Sequence, residues 1–130
     1  DPQPAVIRDD VVLTQKDIRA VQLAKSAISA GILTLVATRG LSLGQVDELA
    51  IAGGFGSYLD VRSAGCIGLI PQELACKVRV LGNAALRGAA MLLLDQTLME
   101  PCEEWTRQAK LVELMASPQF TQAYTESMFF

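Results

Sequence analysis

Leu49-Ala50-Ile51-Ala52-Gly53-Gly54-Phe55-Gly56-Ser57 is the stretch whose reading decides the fold. Its leading apolar residues are too few for a helix and read as a strand buried on both faces. The strand then breaks into Gly53, Gly54 and Gly56. Glycine lacks a Cβ and adopts positive φ readily, so the break permits a tight turn and close approach of backbone to a ligand. Ligands of open α/β sheets gather beyond the carboxyl ends of strands, where this turn falls. Two readings stand at this point: a plain strand-to-helix turn, or a turn that faces a ligand.

Downstream, Asp60 is placed to cap a short helix reaching Ile67, with Val61, Ala64 and Ile67 inward and Gly68 as its stop. Pro71 opens a further turn. Lys77-Val78-Arg79-Val80-Leu81 alternates polar and apolar residues, the pattern of a strand with one wetter face. Gly82-Asn83 is the next strand-to-helix junction, with Asn83 as cap of a helix from Ala84 to about Thr97. Gly88 in that helix implies close backbone packing, or room for a ligand. A further helix carries Glu103 and Glu104 in its first turn and Trp105, Ala109, Val112 and Met115 inward. Ser117-Pro118 is a strong start signal for a last helix, with Phe120, Ala123 and Tyr124 as core fillers.

Upstream, Thr14 caps a long helix with Asp17 in its first turn. Ile18, Val21, Ala24, Ile28, Ile32 and Leu35 recur at helical spacing as its inward stripe, and Arg39-Gly40 reads as its basic last turn and stop. Residues 1–10 read as linker with a short extended piece, and Val11-Val12-Leu13 as the end of a strand. Strands alternating with helices imply parallel pairing. Two strands are too few for an independent sheet, so the chain reads as the later half of an α/β domain.

Composition narrows the function. Of 130 residues 51% are hydrophobic and 19% charged, which suits a packed core. Net charge is −3 with basic residues scattered singly, which argues against a nucleic-acid surface. The most apolar run, Ala27 to Ala37, is shorter than the roughly 20 residues that span a bilayer, and no signal peptide is visible. The absence of histidine excludes Ser-His-Asp and Cys-His mechanisms within this chain. Cys66, Cys76 and Cys102 form no C-x-x-C pair and read as buried or semi-buried thiols in a reducing cytoplasm. The start at Asp1 without Met suggests an excised fragment.

Four stretches together carry a resemblance. They are Gln15-Lys16-Asp17-Ile18-Arg19-Ala20-Val21-Gln22-Leu23-Ala24-Lys25, Ile51-Ala52-Gly53-Gly54-Phe55-Gly56, Ile67-Gly68-Leu69-Ile70-Pro71 and Gly82-Asn83-Ala84-Ala85-Leu86-Arg87-Gly88-Ala89. In this order the sequence is similar to the C-terminal part of the reductive activators of corrinoid proteins, members of the actin-like (ASKHA) ATPase superfamily. The tail from Pro118 to Phe130 also resembles that family's ending.

The resemblance implies an α/β fold: a fragment of the second lobe of an actin-like, ribonuclease H-like ATPase. Such a lobe has few parallel strands, crossover helices and two C-terminal helices. It places a strand remnant and linker at 1–13, the lobe at 14–100 and a helical extension at 101–130. It further implies that the parent uses ATP with Mg2+ and electrons from an N-terminal [2Fe–2S] ferredoxin-like domain to return a Co(II) corrinoid protein to Co(I). Gly53, Gly54, Phe55, Gly56 and Ser57 match the Gly-Gly motif that lines the adenosine end of the cleft. Asn83 to Ala89 resembles the helix near the interlobe hinge. Implied partners are the corrinoid protein of a cobalamin-dependent methyltransferase system and the remaining lobe; nucleic acid and membrane are not among them. The unpaired sheet edge adds an expected homo-oligomer.

The departures matter equally. No glycine-bearing acidic phosphate loop and no C-x₄-C-x₂-C ferredoxin pattern is present. The chain holds at most the purine side of an ATP site, with no catalytic residue and no metal ligand assigned, and alone is not expected to be an enzyme. Two other readings stay open: a lobe of a small-molecule kinase of the same superfamily, and a non-catalytic interaction domain. The dispersed cysteines predict purification without stoichiometric iron or zinc; elemental analysis returning one metal per chain would overturn that argument.

Overall fold

The computed structural model describes residues 5–8 and 11–130. Residues 1–4 and 9–10 lie outside the described residues, and with them the prolines and Asp9-Asp10 of the expected linker. Strands β1 (Ala5–Arg8) and β2 (Val11–Leu13) form an antiparallel pair, where the sequence suggested a short extended piece and a strand end without pairing them. Helix α1 (Gln15–Thr38) follows, then β3 (Leu49–Ala52) and the short helices α2 (Gly54–Tyr58), α3 (Val61–Cys66) and α4 (Gln72–Ala75). Strand β4 (Val78–Gly82), α5 (Ala84–Leu94), α6 (Met99–Gln108) and α7 (Pro118–Glu126) complete the order. β3 and β4 pair in parallel, as alternating strands and helices require.

Local chemistry starts α1, α3, α5 and α7 where the sequence places them. Thr14 and Asp17 form a reciprocal capping box on α1, the Asp17 carboxylate accepting from the Thr14 N–H at 2.9 Å and the Thr14 hydroxyl from the Asp17 N–H at 3.2 Å. Asp60, Asn83 and Ser117 cap α3, α5 and α7 through side-chain oxygens. α1 ends at Thr38, with Arg39 as its cap and Gly40 at φ 67° beyond it, so the arginine lies past the last turn and not inside it. Gly68 stops α3 at φ 74°.

The core is built from Ala64, Ile70 and Leu74, with Ile32, Leu43, Val46, Leu49, Ile51, Leu59, Leu69 and Val78 packed around them. Leu49 and Ile51 point into it, whereas Ala50 and Ala52 are exposed. β3 is therefore covered on one face, not two, since no described element lies over the other. Lys77 reinforces the sheet from the side. Its ammonium donates to the carbonyls of Leu43, Gly44 and Val46 at 3.4, 3.0 and 2.6 Å, pinning the turn that precedes β3 to the strand beside it.

Helix α1 is oriented differently from its apolar stripe. Its buried residues are Lys25, Ser26, Ser29, Ala30, Gly31 and Thr34, while Val21, Leu23, Ile28 and Leu35 are exposed. Small residues on the buried face let α7 lie close along it, bringing in Phe120, whose burial contributes about 1.5–3 kcal/mol. Of the apolar stripe, Ile32 packs against the core, whereas Val21, Ile28 and Leu35 are left exposed. By length and composition the whole of α1 could cross a bilayer, although the run Ala27–Ala37 alone is short. In this fold it is the helix on which α7 packs.

Three further expectations are corrected. α5 stops at Leu94, a 3-10 turn covers Gln96–Leu98, and α6 begins at Met99, so Glu103 and Glu104 fall mid-helix. Pro101 is tolerated because first-turn N–H groups have no intrahelical acceptor. Trp105, Ala109 and Met115 are exposed and Val112 half-buried, because α6 packs mainly on the adjacent 3-10 turn. Cys66 and Cys76 are exposed and Cys102 is half-buried, since the first two fall at the outer ends of α3 and α4.

Hydrogen bonds from the side chains and backbones of Thr14, Ser63 and Thr97 hold the carboxyls of Asp17, Asp60 and Asp95 below their usual 3.8. Carboxylates depressed in the folded state contribute stability that is fully present above pH 3.8 and lost as pH falls through the folded values. Acid titration followed by circular dichroism is therefore expected to show helix loss beginning below pH 3.8. Thr14→Ala should lower stability by about 1 kcal/mol in urea unfolding at pH 7.

Candidate glycine-turn site

The end of β3 and the end of β4 meet on one side of the sheet because the strands are parallel. Ala52 stands opposite Gly82 in the register, and the Gly53 N–H donates to the Gly82 carbonyl at 2.8 Å, one step past the strand. The two strand-to-helix junctions, Gly53-Gly54 and Gly82-Asn83, are thereby side by side. The sequence shows each junction singly; Gly82, at φ 68°, could be joined to the site only through strand register.

Each glycine of the turn does a different thing. Gly53 sits at φ 101°, ψ 169°, a conformation that favours glycine, and serves as cap residue of α2. Gly54 is helical, and a Cβ there would meet nothing within 4 Å. Gly56 is buried, and a Cβ there would overlap Ile51 Cγ2, so this glycine lets α2 lie against β3. The Ser57 N–H and hydroxyl both donate to the Gly53 carbonyl, at 3.2 and 3.0 Å, closing the turn. Phe55 and Tyr58 project outward, 76% and 92% exposed.

The five residues matched to the motif are thus contiguous in space as well as in sequence. The backbone at Gly53-Gly54 is open, beside the exposed Phe55 ring. Gly88 is not closely packed: a Cβ there would meet nothing within 4 Å, and α5 has no buried residue, so the close backbone packing expected at Gly88 is not found. No three His, Cys, Asp or Glu side chains converge among the described residues.

A parallel strand pair with both glycine junctions at one end, flanked by helices, is an α/β arrangement. The family model described as the C-terminal domain of RACo, the ASKHA domain, matches residues 2–130, and the chain belongs to this family. It is 40% identical over 121 residues to the corrinoid activation enzyme RamQ of Eubacterium limosum, covering 93% of this chain and 20% of that protein. It is 26% identical over 110 residues to the [Co(II) methylated amine-specific corrinoid protein] reductase of Methanosarcina barkeri, covering 85% of this chain and 20% of the relative. A solved structure of a reductive activator for corrinoid,iron-sulfur protein superposes with a TM-score of 0.80 at 35% identity, over 92% of this chain and 19% of that one. The chain thus spans about one fifth of the length of the relatives it matches.

The glycine geometries predict different responses to one added methyl group. Gly53→Ala forces alanine into positive φ, and Gly56→Ala forces overlap with Ile51; each should cost about 1–3 kcal/mol. Gly54→Ala should be neutral or gain up to about 1 kcal/mol, and Gly88→Ala should gain about 0.5–1 kcal/mol. Urea midpoints of the four variants test the assignment, and equal losses at Gly54 and Gly56 would contradict it.

Proposed function

We propose that this chain is the C-terminal lobe of an ATP-dependent reductive activator that returns an inactivated Co(II) corrinoid protein to Co(I). The observation that carries the reading is the open glycine turn at the carboxyl end of a parallel strand, in a chain belonging to the C-terminal domain family of RACo. Names of the relatives support it: one is a corrinoid activation enzyme and another a reductase of a Co(II) corrinoid protein.

In this reading Gly53 and Gly54 present bare backbone to the adenosine, Phe55 flanks the base, and Gly56 and Ser57 hold the turn in shape. ATP with Mg2+ supplies the free energy for an unfavourable one-electron transfer. The electron comes from a [2Fe–2S] domain outside this chain. No residue of this chain is assigned to the triphosphate, to Mg2+ or to the cluster. Residues 14–100 form the lobe proper and 101–130 its helical extension. The corrinoid protein and the remaining lobe are the partners, the protein acts in the cytoplasm, and its exposed apolar surface favours self-association.

The test is Gly54→Val in the complete activator. Gly54 has helical φ and open space around it, so valine is compatible with the fold but fills the room a nucleoside needs. The variant is expected to keep its unfolding midpoint, to lose ATP binding by calorimetry and to lose Co(II)-to-Co(I) conversion followed by absorbance. ATP binding at unchanged affinity would leave the glycine turn as a turn only.

A further inference from the structure

The face of α1 covered by α7 carries a charge that nothing described in the chain neutralises. Lys25 is 1% exposed and Ser29 5%, one helical turn apart on the same side. The Lys25 ammonium donates to the main-chain carbonyls of Ser127 and Phe129 at 2.5 and 2.6 Å and stands 5.0 Å from the centroid of the Phe130 ring. Carbonyl dipoles and an aromatic face hold a cation without cancelling its charge. Among the described residues no carboxylate lies within ion-pair distance of it. Desolvation lowers its pKa, and no neighbouring anion acts in the opposite direction.

Both side chains retain donor capacity. An ammonium has three N–H donors, and two are directed to the carbonyls. The hydroxyls of Ser26 and Thr38 turn back to the carbonyls of Gln22 and Thr34, but that of Ser29 makes no hydrogen bond among the described residues. Lys25 and Ser29 line a cavity of about 290 Å³, bounded also by Gly65, Gly68, Gln72 and Phe129. Gly68 leaves room beside the amine: a Cβ there would stand 3.5 Å from Lys25 Nζ.

A covered cation, an unspent hydroxyl and open space next to both are the parts of an anion site. One positive charge and one hydroxyl donor answer the two oxygens of a single carboxylate. A phosphate dianion would have half its charge and most of its oxygens unanswered. We propose that the cavity between α1, the turn after α3 and the segment Ser127–Phe130 binds one carboxylate, through Lys25 Nζ and Ser29 Oγ. The carboxylate comes from an acidic side chain of the protein or from a small free acid. Either source places its charge where it also secures the segment from Ser127 to Phe130, which Lys25 anchors.

Two measurements on the protein separate the sources. Zero-length carbodiimide coupling, read by peptide mass spectrometry, joins Lys25 to an Asp or Glu side chain if the carboxylate is the protein's own. Titration with sodium acetate, followed by the amide NMR signals of Ser29 and Gly68, gives a saturable response if a small acid is taken. Lys25→Met should abolish either signal. Ser29→Ala should weaken acetate binding about tenfold without lowering the unfolding midpoint, which keeps the test meaningful if the lysine variant fails to fold. Absence of both coupling and acetate response in the folded protein overturns the proposal, as does an equal response to sodium chloride.

Discussion

The parallel pairing of β3 with β4 is the constraint on which the arrangement depends. Antiparallel strands would send their two glycine junctions to opposite ends of the sheet. Parallel strands bring them together, and the Gly53 N–H to Gly82 carbonyl bond extends the ladder just far enough to fix both turns. Lys77 holds the approach to β3 against the start of β4, and Ala64, Ile70 and Leu74 fill the space beneath. An exposed ion pair between Arg79 and Glu48 adds little to this, because solvent screens it.

The second organising contact is that of α1 with α7. It is made through small and polar side chains, which is uncommon for the inner face of a long apolar helix. The small buried side chains of Ser26, Ser29 and Ala30 stand in place of bulky packing on α1, and Lys25 reaches the chain beyond α7. The consequence is an apolar stripe, Val21, Ile28 and Leu35, left on the outer side of α1.

The glycine cluster shows why a motif is more than its letters. Gly53 is required by backbone conformation, Gly56 by contact with Ile51, and Gly54 by neither. Among the described residues nothing in the fold requires a glycine at position 54. That contrast, and not the number of glycines, makes Gly54 the informative position of the turn.

By itself the sequence determined the local chemistry: the caps at Thr14, Asp60, Asn83 and Ser117, the stops at Gly40 and Gly68, the strands around Ile51 and Val80, and the family. These are legible because a cap or a turn depends on a few neighbouring residues, and because four motifs in order are specific together. Only the tertiary structure decided which faces are covered. It turned Val21, Ile28 and Leu35 of α1 outward, exposed Cys66, Cys76 and Trp105, left Gly88 unpacked, and joined Gly82 to Gly53. Periodicity shows that a helix has two faces, but the partner that approaches determines which is buried. At Lys25 and Ser29 that partner is a segment about a hundred residues away in sequence, and no local pattern announces it.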